Sequence, residues 1–204
     1  MKNSLEKALL IDTTLRKPFL DRLALLFTDM DNEYSLVSDR YGFHCQGCEE
    51  SCCRTTFYHH TILEALYLLE GFEQLGKDLR TDILKQAQKV ILHPSEGLFC
   101  PLCRDNRCLL YTYRPMICRL HGIAHEVHRP DRAVSYGPGC ALFEAVTEGE
   151  SYIVFDRTRF YLALSRLEQE ARAALGVVQK IKMTVSEILT YSETGAASHE
   201  KRKY

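Results

Sequence analysis

The chain has 204 residues, with 26 Lys and Arg against 27 Asp and Glu, a formal net charge of −1. That balance leaves no global basic field, so neither nucleic acid nor an anionic lipid surface is an expected partner. At 46% hydrophobic and 26% charged residues, the composition is that of an ordinary globular protein long enough to bury a core.

The first thirteen residues read as a short helical lead-in, whose apolar run from Ala8 to Ile11 is too brief for a secretory signal. No stretch nears the ~18 apolar residues of a membrane span, so a cytoplasmic protein with reduced thiols is expected. From Thr14, the positions Leu15, Phe19, Leu23, Leu26 and Met30 recur at three- and four-residue steps, the stripe of an amphipathic helix, with Asp12 or Thr13 as its cap. Asp31, Asn32 and Glu33 loosen the stripe before a cysteine loop that begins near Gly42.

That loop, His44 to Arg54, places Cys45, Cys48, Cys52 and Cys53 within nine residues. Buried free cysteines normally occur singly as small apolar fillers, so packing does not explain the run. The spacing C-x2-C-x3-C-C lets one tight loop bring several sulfurs to a common point, as metal sites require. Gly47 lies where a metal knuckle often needs positive φ. Cys52 and Cys53 are adjacent and their side chains tend to diverge, so one of them would serve a second metal or the far side of a cluster. The total of nine cysteines is odd and clustered, which suits metal better than a disulfide framework.

Thr61-Ile62-Leu63-Glu64 has the form of a capping box, and Ile62, Leu63, Leu66 and Leu69 predict a short helix closed by Gly71. His59 and His60, just before it, are read as solvated or capping residues rather than ligands. A second helix runs from about Lys77, with Leu79, Ile83, Ala87 and Val90 on one face, and stops at His93-Pro94. Cys100, Cys103, Cys108 and Cys118 follow, with Asp105-Asn106 as a turn and Leu109 to Tyr113 as a brief extended segment. Ile123 to His128 and Ala133 to Tyr136 predict a hairpin bent at Pro130-Asp131, which delivers Gly137-Pro138-Gly139-Cys140. Phe160, Leu164, Leu167, Ala171 and Leu175 predict a helix from Arg157 to Leu175 that ends at Gly176. Thr184 to Glu187 caps a last short helix, and the small, polar tail from Gly195 reads as disordered.

Taken together, C-x2-C-x3-C-C-R, the Cys100-Pro101 to Cys108 block with Tyr111, and Arg114-Pro115-x-x-Cys118-Arg119 resemble the YkgJ-type cysteine-cluster proteins, described as zinc- or iron-chelating domains. The motifs span Cys45 to Cys140, a little under half the chain. The resemblance implies a metal held by Cys45, Cys48, Cys52, Cys53, Cys100, Cys108, Cys118 and Cys140. Cys103 stands where the family usually has an apolar residue and is the spare ninth thiol, unless it exchanges roles with Cys100. A related cysteine domain occurs in flagellin lysine-N-methylases, so the family does not fix one activity.

Independently of that resemblance, eight thiolates around two divalent ions leave an excess of about four negative charges. Arg54, Arg104, Arg107, Arg114 and Arg119 all lie within a few residues of a cysteine, and arginine keeps its charge when partly buried. His121, three residues after Cys118, is close enough to ligate or to hydrogen-bond a thiolate. His125 and His128 would sit on opposite faces of a strand and read as surface histidines.

The expected fold class is mainly α with an irregular Cys-rich metal-binding core and a small β-hairpin. One domain, 1–194, has a helical frame (1–41, 61–93, 157–191) around a cysteine core (42–60 and 97–140), with the tail 195–204 outside it. The expected cofactor is zinc or iron, the latter including an iron–sulfur cluster, and a protein partner is left open. A structural metal protein and an iron–sulfur redox enzyme or electron carrier are the main alternatives, and a nucleic-acid-binding zinc module is the weakest. No Ser-His-Asp order, P-loop or dinucleotide fingerprint supports other catalysis.

Overall fold

The computed structural model describes residues 2–45 and 52–191. Helix α1 (Lys2–Leu9) leads into the long α2 (Thr13–Arg40), whose N-cap is Asp12: its carboxylate accepts the Thr14 N–H at 2.8 Å. The predicted start is therefore met. The predicted loosening at Asp31 to Glu33 is not, because Val37 and Ser38 return the stripe to the interior and α2 runs on to Arg40.

Helix α3 (Ile62–Glu73) is the centre of the molecule. Ten of its twelve residues are buried, as expected of a helix apolar on every face. Ile62, Ala65, Leu66, Leu68, Leu69 and Phe72 join a cluster with Leu5 and Ala8 of α1 and with Val177, Ile181 and Met183 near the C-terminus. Leu63 and Tyr67 join a second cluster, built with Phe27 and Met30 of α2 and with Phe155, Phe160 and Leu164. The helix does not close at Gly71 as the sequence reading expected. Gly71 lies inside it, and a Cβ there would sit 2.4 Å from Tyr113 Cγ; the glycine admits the Tyr113 ring rather than ending the helix.

Helix α4 (Lys77–Leu92) ends at His93, as the His93-Pro94 pair predicts. A two-stranded sheet follows, β1 (Cys103–Arg104) with β2 (Arg107–Cys108), antiparallel, in which Cys103 opposes Cys108. Its turn residues Asp105 and Asn106 have φ of 52° and 59°, the left-handed pair that closes a tight hairpin. Leu109 to Tyr113 is not extended: Tyr111–Tyr113 forms a 3-10 turn, followed by the short helix α5 (Met116–Leu120). The expected later hairpin is present as β3 (His125–His128) paired with β4 (Val134–Gly137). Two small sheets therefore occur where one hairpin was predicted, because the Asp105-Asn106 turn was recognised but its two-residue strands carry no readable alternation.

Helix α6 (Ala141–Val146) precedes α7 (Thr158–Ala174), which packs along α2. Residues 185–191 form the last helix, α8, opened by a reciprocal capping box: Thr184 N–H donates to Glu187 Oε2 at 2.8 Å and Glu187 N–H to Thr184 Oγ1 at 3.2 Å. The protein is mainly helical. No helix among the described residues is long and apolar enough to cross a membrane. The tail read as disordered lies outside the described residues.

Candidate metal centre

The cysteine segments meet because α3 positions their neighbours from its two ends. At its N-terminus, Glu168 of α7 accepts the Ile62 and Leu63 N–H groups at 3.0 and 3.1 Å, satisfying donors that a helix start leaves without intrahelical partners. Thr61 accepts the Glu64 N–H at 3.2 Å and donates its hydroxyl to Glu64 Oε2 at 2.6 Å. The other Glu64 oxygen accepts the Met116 N–H at 2.8 Å. The predicted capping box thus forms in altered form: the glutamate reaches across to anchor α5, the helix that carries Cys118. Burial raises the pKa of both Glu64 and Glu168, opposed by these hydrogen bonds.

Two of the predicted arginines brace the same segment. Arg119, 4% exposed, donates to the carbonyls of Arg114 and Thr112 and pairs with Asp31, with its guanidinium 4.2 Å from the Phe27 ring centroid. Arg114 donates to the Tyr111 carbonyl at 2.9 Å and to the Cys118 carbonyl at 3.4 Å, and stacks on Tyr111. The other three are exposed: Arg104 and Arg107 face each other across the first hairpin, and Arg54 lies over the Phe99 ring at 4.5 Å, with Arg54 and Arg107 also at the edge of the cavity described next.

A cavity of about 710 Å³ opens beside this scaffold, lined by Cys45, Cys53, Cys100, Cys108 and Cys118 together with apolar side chains such as Leu68, Val90 and Leu102. The backbone joins two of these segments directly, the Cys100 N–H donating to the Cys53 carbonyl at 2.7 Å. Burial pushes the Cys118 thiol up to about 12, with Cys108 and Cys53 adding to the effect and Arg114 opposing it. Burial also raises Cys100 well above the usual thiol range; a backbone hydrogen bond at Leu102 opposes this, and Cys118, Cys53 and Cys108 reinforce it. Cys108 is raised by burial, and by Cys53, against a hydrogen bond at Leu110 and the charges of Arg114 and Arg119. These thiols therefore lie close enough to feel one another's charge.

Among the described thiols, Cys103 and Cys140 do not line the cavity. Cys140 caps α6, its Sγ accepting the Phe143 N–H at 3.4 Å, while its own N–H donates to the Gly122 carbonyl at 2.9 Å. Gly139, with φ of 103°, allows that approach: a Cβ there would lie 2.7 Å from the Gly122 oxygen. The predicted ligand Cys48 lies outside the described residues, and of Cys52 only the backbone, in a 3-10 turn with Cys53 and Arg54, is described. Among the described residues, no three His, Cys, Asp or Glu side chains are grouped so as to hold a metal ion in this conformation. Cys45, Cys100, Cys108, Cys118 and Cys140 are unbridged thiols.

The histidines divide differently from the sequence expectation. His59 is not solvated; it is 3% exposed, lines the cavity, and its Nε2 has no hydrogen-bond partner. Burial lowers its pKa to about 4, so it is neutral. The residue was missed because its burial comes from a long-range bridge, in which its backbone exchanges hydrogen bonds with Met183. His60 is exposed. His121 is half-buried beside Phe57, and its pKa is lowered by burial and then by Arg157. Of the two expected surface histidines, His128 is exposed, its Nε2 donating to Glu126 Oε1 at 2.7 Å, whereas His125 is partly buried on β3.

No family model matches the chain, and no curated protein or solved structure is significantly similar to it.

Proposed function

We propose that this is a metal-binding cysteine-cluster protein of the cytoplasm. Zinc or iron would be held by about eight thiolates: Cys45, Cys48, Cys52, Cys53, Cys100, Cys108, Cys118 and Cys140. The observation that carries this reading is that five of these eight, brought from segments separated by α3 and α4, line one cavity. Cysteine is a soft donor, and a set made only of thiolates selects zinc or iron–sulfur chemistry over hard cations. In the conformation described the thiols are not drawn together on a point, and burial favours the protonated form of Cys100, Cys108 and Cys118, so loading would release protons and turn side chains inward. The motifs resembling the YkgJ-type proteins favour the same ligand set. Bound metal would supply either a structural tie between the segments or a redox centre.

A redox role is the second reading, favoured by the size of the cavity. It is far larger than an ion needs and bears the unpartnered imidazole of His59, so a small molecule would fit beside the thiols.

Anaerobic purification followed by metal analysis and an absorption spectrum tests both readings. A structural metal protein gives colourless zinc at about two equivalents, by four-coordinate accounting. A redox centre gives a brown protein that bleaches with reductant. A natively folded preparation with neither metal would end the proposal. Cys103→Ser is expected to leave metal content unchanged.

A further inference from the structure

The cavity has two features that its thiols do not explain. The first is His59, which lines it at 3% exposure with Nε2 lacking any hydrogen-bond partner. The residue is held in place by its backbone, its N–H donating to the Met183 carbonyl at 2.8 Å and the Met183 N–H to its own carbonyl at 3.0 Å. A buried polar atom in that condition is destabilising until something completes its bond. The second feature is charge. Arg54 and Arg107 are exposed at the cavity's edge, and among the described residues neither pairs with a carboxylate. Arg114 also lines the cavity, with the nearest Asp31 oxygen 4.0 Å away. Glu187, the single carboxylate among the described lining residues, is engaged by the Thr184 N–H at 2.8 Å. The walls include Leu68, Val90, Leu98, Leu102 and Val185, and the volume of about 710 Å³ is within the usual range of small-molecule sites.

We propose that the cavity binds an organic acid with an apolar body and a second, uncharged oxygen. The inner oxygen, a hydroxyl or a carbonyl, bonds His59 Nε2, and the carboxylate lies at the edge against Arg54 and Arg107. This deepens the second reading above, that a small molecule fits the cavity, and it stands whether or not a metal is bound. Burial keeps the imidazole neutral, so its Nε2 can either donate to a carbonyl or accept from a hydroxyl. An uncharged oxygen suits a ring so deeply buried, because a charge there would be stripped of water. Charge is better placed at the exposed guanidiniums, whose planar forks hold both oxygens of a carboxylate. The apolar walls between them take the body of the ligand.

The test is calorimetric titration of the full chain, purified anaerobically, with three probes: ω-hydroxydecanoate, decanoate and α,ω-decanediol. On the native chain ω-hydroxydecanoate should bind about threefold to tenfold tighter than decanoate, the margin of one net hydrogen bond. Added salt should weaken both acids and leave the diol unchanged. His59→Leu should remove the advantage of ω-hydroxydecanoate without weakening decanoate. Arg54→Gln/Arg107→Gln should weaken both acids and spare the diol. The comparison of probes on the native chain needs no substitution, so it decides the matter even where the His59 variant misfolds. Acids that bind equally, acids that bind no better than the diol, or no binding at all would overturn the proposal. Metal content is measured on the same sample. A metal-free native chain that binds the probes as expected ends the metal-binding reading and leaves this one standing; a metal-loaded chain that binds none of them does the reverse.

Discussion

At the residue scale, His59 has the clearest measurable consequence. An imidazole that titrates near 6.5 when exposed is held at about 4 by burial, so folding favours its neutral form. The stability this contributes is fully present above pH 6.5 and is lost progressively as the pH falls toward 4, where the folded protein must also accept the proton. The span corresponds to up to about 3 kcal/mol. Urea midpoints measured between pH 7.5 and 4 should therefore fall steeply below 6.5 in the native chain and less steeply in His59→Gln. Equal slopes would show that the imidazole is not the group responsible. Gly71 gives a second residue-scale prediction. Its position is set by the Tyr113 ring, which also stacks near Tyr67 and takes a hydrogen bond from Gln74 at 2.7 Å, so it has little room to retreat. Gly71→Ala should lower stability by about 1–3 kcal/mol, as overpacking does, seen as a reduced thermal midpoint. The sequence marked this glycine correctly as special and assigned it the wrong task, since a close neighbour as distant in the chain as Tyr113 leaves no local trace.

At the scale of elements, the chain is tied together by carboxylates that serve helix starts not their own. Glu168 of α7 satisfies two N–H groups of α3, and Glu64 of α3 satisfies one of α5. Removing such an acceptor leaves buried donors unpaired, at about 1–3 kcal/mol each. Glu168→Ala is therefore expected to destabilise by several kcal/mol in chemical denaturation, and Glu168→Gln by less, because one amide oxygen can still accept. Glu64→Ala should do more than lower the midpoint. It frees the start of α5, so amide exchange at Met116 to Leu120 should accelerate beyond the change in global stability; protection unchanged in that stretch would mean Arg119 and Arg114 hold α5 alone. The sequence made the helices themselves legible. The starts at Asp12, Thr61 and Thr184 and the ends at His93 and Gly176 all follow from local capping and proline chemistry. It missed α5 and α6, of five and six residues, because elements so short carry no full period of apolar residues.

For the whole molecule, the two hydrophobic clusters meet across α3, while the cysteine segments form a loop-rich side joined to those clusters through Leu102, Leu110, Met116 and Leu120. If metal ties those segments together, its removal should act unevenly. Ligand binding to the native state adds roughly 4 kcal/mol at a thousandfold excess over Kd, so chelation is expected to lower the thermal midpoint. Limited proteolysis read by mass spectrometry should then cut first between Gly97 and Leu120, with α2 and α7 protected by their mutual packing and the buried Phe27 and Phe160. Uniform digestion along the chain would argue that the metal stabilises no particular part.

What the sequence determined alone was everything governed by near neighbours: a mainly helical chain, its longer helices and their caps, the hairpin at Pro130-Asp131, and the unusual density of thiols. Those features depend on backbone preferences and side-chain spacing over a few residues. Only the tertiary structure decided which thiols share a cavity, that Cys140 is turned to the start of α6, that His59 is interior, and that Glu64 and Glu168 reach across to other helices. Each of those outcomes depends on contacts between segments distant in the chain. Local periodicity carries no record of them, because many packings satisfy the same pattern and the buried polar groups select among them.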